Sequence, residues 1–248
     1  MLRKSLIGLF LVFFSFCVIA EQTLVPYVGL DIQQRNMNFK KNHGDNIFSR
    51  KSLQGNFYLG CRLNKYFGLE GGYQSSQNTS KKSMISKGEI VLGQVVDDPN
   101  LASNGFIVTE TTIRTKGPHL NVIGFFPLEA GRTDFIASLG LTSLTIKAAY
   151  KQVADEFLGI YAAEDVSATN LNFSAAHLIP RCMLGVQRQF TESLGLRASL
   201  VYELTGRFKQ MAPKNAINDP DDLLPGNKQL KVSLRNTITY GLGIFMTF

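Results

Sequence analysis

Along most of the chain, apolar and polar residues alternate at period 2, the signature of strands whose two faces meet different surroundings. The C-terminal segment shows it best: Ile238, Tyr240, Leu242, Ile244, Met246 and Phe248 occupy one face. The other carries Arg235, Thr237, Thr239, Gly241, Gly243 and Thr247, with Phe245 as the one large exception. Large apolar residues opposite glycines and threonines predict an outer face in lipid and an inner face lining a narrow, filled lumen. The same alternation returns over 27–32, 57–63, 67–74, 119–126, 135–141, 181–187 and 194–203. Together with the last segment these make eight strands, an even number, each about 10 residues long, as a membrane strand requires. The expected fold is therefore all-β: an eight-stranded antiparallel up-and-down transmembrane β-barrel with long extracellular loops.

Connections alternate between short, at 64–66, 127–133 and 190–193, and long, at 37–53, 76–117, 148–178 and 206–230. Tight periplasmic turns opposite large extracellular loops produce this asymmetry in outer-membrane barrels. Within the second long connection, Met84 to Val96 and Phe106 to Lys116 are expected to extend a hairpin above the membrane, turning at Asp97-Asp98-Pro99-Asn100. Residues 1–20 have a basic start (Arg3, Lys4), an apolar stretch from Leu6 to Ile19, and small residues ending at Ala20. That is the build of a cleaved secretory signal peptide, which leaves 21–248 as one barrel domain.

Composition changes the picture by exclusion. A mean hydropathy of +0.01 is too low for a polytopic helical membrane protein. The formal charge of +7 invites a nucleic-acid partner, but Lys40-Lys41 and Lys81-Lys82 are isolated pairs and no dense basic run exists. Nucleic-acid binding is therefore not expected, and export argues against it as well.

The stretch Gly60-Cys61-Arg62-Leu63-Asn64-Lys65-Tyr66-Phe67-Gly68-Leu69-Glu70-Gly71-Gly72-Tyr73, the strand from Leu194 to Glu203 and the terminal run Tyr240 to Phe248 resemble the small eight-stranded outer-membrane barrels of the OmpA-like transmembrane-domain type. The resemblance implies an outer-membrane location in a Gram-negative cell envelope. It also implies that Tyr240, Leu242, Ile244, Met246 and Phe248 form the signal read by the barrel-assembly machinery. The sequence departs from OmpA in ending at the barrel, so a peptidoglycan-binding domain is not implied.

Parity places Arg62, Arg181, Arg197 and Arg235 on the inward side together with Asp31, Glu70, Asp134 and Glu203. Unpaired charges in a dry lumen are costly, so these are expected to pair and plug the barrel, with Arg62 and Glu70 as partners across the 64–66 turn. A charged, gated pore is the alternative, although an eight-stranded barrel is only wide enough for side chains to fill. Three histidines raise the question of a lipid A-modifying hydrolase. His119 is inward, and neither His43 nor His177, both placed in loops, accompanies a patterned Ser and acid. No spacing of His, Cys and Asp suits a metal, so neither cofactor nor metal is expected. Cys61 and Cys182 point outward on the second and sixth strands, on opposite walls and too far apart for a disulfide. The functional expectation is a non-enzymatic barrel with an envelope-structural or adhesion-type surface role carried by its loops. A narrow, porin-like solute channel is second and a lipid A-modifying enzyme third. The expected partners are outer-membrane lipid and lipopolysaccharide, the barrel-assembly machinery, and a host or surface ligand at the loops.

Overall fold

A computed structural model describes residues 24–41, 47–86, 88–91, 94–95, 106–128, 132–153, 170–205 and 234–248. The signal segment 1–20, the turn at 97–100, His43 and the whole 206–230 connection lie outside the described residues. The strands are β1 (Val25–Asn36), β2 (Lys51–Arg62), β3 (Phe67–Ser76), β4 (Thr79–Ser86), β5 (Ile90–Val91), β6 (Gln94–Val95), β7 (Phe106–Pro127), β8 (Thr133–Val153), β9 (Asn170–Gln189), β10 (Leu194–Glu203) and β11 (Thr237–Thr247). All but β5 and β6, which pair only with each other, belong to one antiparallel sheet. Its order is β3-β2-β1-β11-β10-β9-β8-β7-β4, and β3 also pairs with β7, which closes the ring.

The ring has eight walls, because β3 and β4 together make one of them. From Ser75 opposite Lys116 to Thr79 opposite Ile113, the β3–β4 side spends one residue more than β7. This is a β-bulge, and there the Ser76 hydroxyl accepts the Thr115 amide at 2.8 Å in place of a ladder carbonyl. Closure also fixes a stagger. From Asp31, the register followed through β2, β3, β7 and β8 reaches His177 on β9, while through β11 and β10 it reaches Gln187, ten residues away. Strand tilt in a barrel follows from such a stagger.

Three walls exceed the expected length: β7, β8 and β9 run for 22, 21 and 20 residues. The stretches read as loops at 148–153 and 170–178 are therefore paired strands, the expected hairpin arm 106–116 runs on within β7 into the wall, and His177 belongs to β9 rather than to a loop. The hairpin expected above the membrane pairs Thr79–Ser86 with Phe106–Ile113, several residues ahead of its expected start at Met84.

Close packing of the lumen depends on glycine at one pair of positions. Tyr27 stands opposite Gly60, and Tyr58 opposite Gly29, on β1 and β2. Each ring lies over the facing glycine, where a Cβ would fall within the ring itself. The two rings meet edge to face, centroids 6.3 Å apart.

Candidate functional site: a filled lumen inside an apolar wall

The outward positions form an almost continuous apolar surface. Leu30, Ile32, Leu120, Val122, Leu139, Leu184, Leu242 and Ile244 are all exposed, Leu139 and Leu242 by 72% and 71%. Aromatic residues flank this surface beside the short turns (Tyr66, Phe67, Phe126, Phe190, Phe248) and toward the opposite rim (Tyr73, Tyr240). The sequence-predicted terminal residues Tyr240, Leu242, Ile244, Met246 and Phe248 all lie on it. Cys61 has the outward parity but is 1% exposed, because its short side chain stands between Pro26 and Leu69 on the flanking strands. Cys182 is half-buried, and the two cysteines are not joined in a disulfide.

The inward side is polar and layered. At the turn end, the Arg62 guanidinium meets Asp134 at 3.0 Å and sits 4.4 Å from the Phe125 ring centroid. Gln187 donates to the same carboxylate at 3.1 Å. A pocket of about 320 Å³ opens here and ends on Tyr27 and Phe245. One layer deeper, Arg197 pairs with Glu70 at 2.6 Å, both fully enclosed, and its guanidinium lies 4.3 Å from the Tyr58 ring centroid. The Tyr27 hydroxyl also donates to Glu70, at 3.3 Å.

Amides hold the middle of the lumen. Asp31 accepts from Gln33 and Asn56, both at 3.1 Å, and Gln54 donates to Gln33 at 2.7 Å. The two ring nitrogens of His119 face Asn56 Oδ1 at 2.8 Å and Asn121 Nδ2 at 3.3 Å. Above them Arg35 forms an ion pair with Glu203, whose oxygens also accept from Gln74 and Thr237 at 3.1 Å each. Arg181, buried on β9, donates to the Thr142 hydroxyl at 3.3 Å.

Among the described residues, the ion pairs differ from the expected ones. Arg62 does not pair with Glu70; it reaches Asp134, and Glu70 takes Arg197. Arg62 and Glu70 both face inward, but Glu70 stands opposite Gly60, which puts Arg62 one inward step nearer the turn end. The stagger brings Asp134 of β8 to that level. Arg235 is not a lumen residue: it is exposed and precedes β11, its amide donating to the Asn38 carbonyl. Asp31 and Arg181 are buried without an ion pair among the described residues. The missed member is Arg35, 1% exposed. Extending the parity of Tyr27 and Asp31 by four residues would have found it.

Beyond the polar layers, the inner face turns apolar. Ile113 of β7, Leu144 and Ile146 of β8, and Ile85 of β4 are buried. Ile47 and Phe48, from the connection after β1, are buried as well, at 0% and 1% exposure. The Thr111 hydroxyl holds the Ile47 carbonyl at 2.5 Å, and Phe48 stacks on Phe39 with centroids 5.5 Å apart. The lumen is thus filled by side chains at the turn end and covered by Ile47 and Phe48 at the other.

No protein-family model matches the chain, and no curated protein sequence matches it either. Solved structures similar to it include Neisserial surface protein A, at 13% identity over 90% of this chain and 97% of that one, with a TM-score of 0.47. Ail, the attachment invasion locus protein of Yersinia pestis, matches at 10% identity over 91% and 97%, with a TM-score of 0.42. OprG, an outer membrane protein of Pseudomonas aeruginosa, matches at 9% identity over 91% and 94%, with a TM-score of 0.40.

Proposed function

We propose that this chain is an integral outer-membrane barrel of Gram-negative type that does not conduct and acts at the cell surface through the strands and loops opposite its short turns. The observation that carries the reading is the pairing of an apolar outer wall with a lumen closed at both ends. A closed barrel satisfies every ladder donor and acceptor internally, which is what hydrocarbon demands of a spanning chain. Its long connections then carry the specificity, an adhesion-type contact with a host or surface ligand, as loops on rigid scaffolds do. In the same reading residues 1–20 are removed on export, and the outward run from Tyr240 to Phe248 is the signal read by the assembly machinery.

The reading is non-enzymatic. Both ring nitrogens of His119 are engaged by asparagine amides on the inner side of the wall, the face opposite the apolar surface. A narrow channel is the second reading. It draws on buried polar atoms of the lumen wall that have no partner among the described residues: Asn121 Oδ1, Ser138 Oγ, Ser199 Oγ, Thr239 Oγ1 and Arg181 Nε. Conduction through them requires Ile47 and Phe48 to leave the mouth.

Two measurements test the proposal together. The refolded protein should migrate faster unheated than boiled, and planar bilayers containing it should stay silent. Tags inserted at Asn100 should be labelled on intact cells, while a tag at Gly131 should need permeabilisation. Steady single-channel current from the wild-type protein would transfer the reading to the channel, and labelling at Gly131 on intact cells would invert the topology.

A further inference from the structure

The outer wall changes character abruptly on β7 and β8. Descending outward positions on β7 read Arg114, Lys116, Pro118, Leu120, and the wall is apolar from there down. On β8 the matching positions are Lys147, Thr145, Ser143 and Leu141. Arg114 stands directly opposite Lys147 in the ladder, and Lys116 is the next outward residue. Like charges directly opposed on one sheet face repel. The outward positions bordering them on neighbouring strands include Ser75, opposite Lys116, and Ser174, opposite Lys147; none of the bordering positions is a carboxylate. The nearest acid on this face, Glu110, stands opposite Lys82 and Lys151. Arg114 and Lys147 are exposed and Lys116 is half-buried. The described contact of Arg114 is one hydrogen bond to the Ser75 hydroxyl, at 3.3 Å.

We infer that Arg114, Lys116 and Lys147 form a binding site for the phosphate of an outer-leaflet glycolipid headgroup of the lipid A type. The inference rests on the proposed insertion and orientation of the barrel. Three cations converge on one face, and an anion between Arg114 and Lys147 converts their repulsion into attraction. A guanidinium suits a phosphate bidentately, and an ammonium beside it adds a point charge. Position selects a lipid over a soluble polyanion. Lys116 lies two outward steps above Leu120, and Tyr73 flanks the same level opposite Pro118. A ligand with its acyl chains on the apolar wall places its phosphate at this height, and a chain-free anion gains nothing from that wall.

The test uses the full-length protein refolded in a zwitterionic detergent and titrated with bis-phosphorylated lipid A or its dephosphorylated form, with bound lipid counted by native mass spectrometry. Each cation near an anionic headgroup contributes roughly fivefold in affinity, so Arg114→Ala, Lys116→Ala and Lys147→Ala together should weaken lipid A binding by about 100-fold. Dephosphorylated lipid A should bind the wild type as weakly. Lys65→Ala, at the opposite rim, should change nothing. Heat-modifiable migration checks that each variant is a barrel, and where the triple variant is not, Arg114→Gln alone should still lose about fivefold. Equal binding by variant and wild type, or by the two lipid forms, overturns the site. A soluble sulfated polysaccharide that binds the refolded protein as tightly as lipid A does, and loses that binding in the triple variant, also overturns the lipid assignment. A wild-type chain that never shows heat-modifiable migration fails the barrel reading itself.

Discussion

The two ends of β7 follow opposite rules. In its lower half, Leu120, Val122 and Phe126 point out while His119 and Asn121 point in. In its upper half, Arg114 and Lys116 point out while Ile113 is buried inside, as are Leu144, Ile146, Ile47 and Phe48. One strand, held to β8 in a single register that skips only Gly117 and Pro118, is therefore inside-out below and conventional above. The backbone is the same in both halves; what differs is the surroundings. Hydrocarbon rewards apolar side chains on the outside and leaves the lumen to polar groups that satisfy one another, whereas water rewards the reverse. The level at which the faces exchange character, between Lys116 and Leu120, marks where the proposed membrane ends on this wall.

The comparison predicts its own failures, beginning with the largest. In the lower half the enclosed Arg197–Glu70 pair should dominate. Glu70→Gln leaves a buried guanidinium without its carboxylate, at a cost of about 3–5 kcal/mol. Adding Arg197→Gln should recover part of that loss, and a double-mutant cycle on urea unfolding in lipid vesicles measures the coupling. Strictly additive losses would show that the lumen is held by packing rather than by charge.

In the upper half, hydrophobic burial should matter as it does in a water-soluble core. Phe48→Ala removes a ring that is 1% exposed and stacked on Phe39, and should cost about 3 kcal/mol, the low end for such a change. The same variant loosens the mouth, so brief conductance events in planar bilayers should accompany the loss. An unchanged unfolding midpoint would mean that the upper core is not part of the cooperative unit.

Next comes a charge placed on the outer face at two heights. Leu242→Arg, in the middle of the apolar wall, should destabilise the inserted barrel by about 2–3 kcal/mol, because a cation at the bilayer midplane is costly. Thr112→Arg, on the upper outer face of β7, should stay within about 0.5 kcal/mol. Equal effects at the two heights would erase the proposed boundary. The smallest effect belongs to the rim at the short turns. Asp134→Asn breaks the Arg62 pair, whose side chains are 24% and 16% exposed, and screening by solvent should hold the loss to about 1 kcal/mol or less. A loss as large as that of Glu70→Gln would mean that this rim is as dry as the interior.

Much of the wall is legible in the sequence, because period-2 alternation is a local property and needs no knowledge of what lies opposite. The outward runs through Leu120, Leu242 and Ile244, the inward placement of Asp31, Glu70, Arg181, Arg197 and Glu203, and the eight-walled closed fold all follow from parity and counting. The strand extensions were hidden because the alternation inverts above Leu120. There an inward Ala148 or Tyr150 and an outward Lys147 read as ordinary loop composition when only apolar-outward alternation is sought, whereas 106–116 is legible as a hairpin arm. Arg35 lay one turn of parity beyond the assigned end of the first strand, and Arg235 lay beyond the start of the last.

Only the tertiary structure decided which charges meet. The chain fixes that Glu70 and Arg197 face inward, but they are separated by 127 residues and stand on β3 and β10, on opposite walls with three strands between them either way around the ring. Their meeting depends on the ten-residue stagger, a property of ring closure that belongs to no single strand. The cover of the mouth is decided in the same way: Ile47 and Phe48 are two apolar residues in a polar connection, and nothing local states which inner face they will bury. Alternation is set by the geometry of one strand, whereas partners across a lumen are set by how eight strands tilt to close.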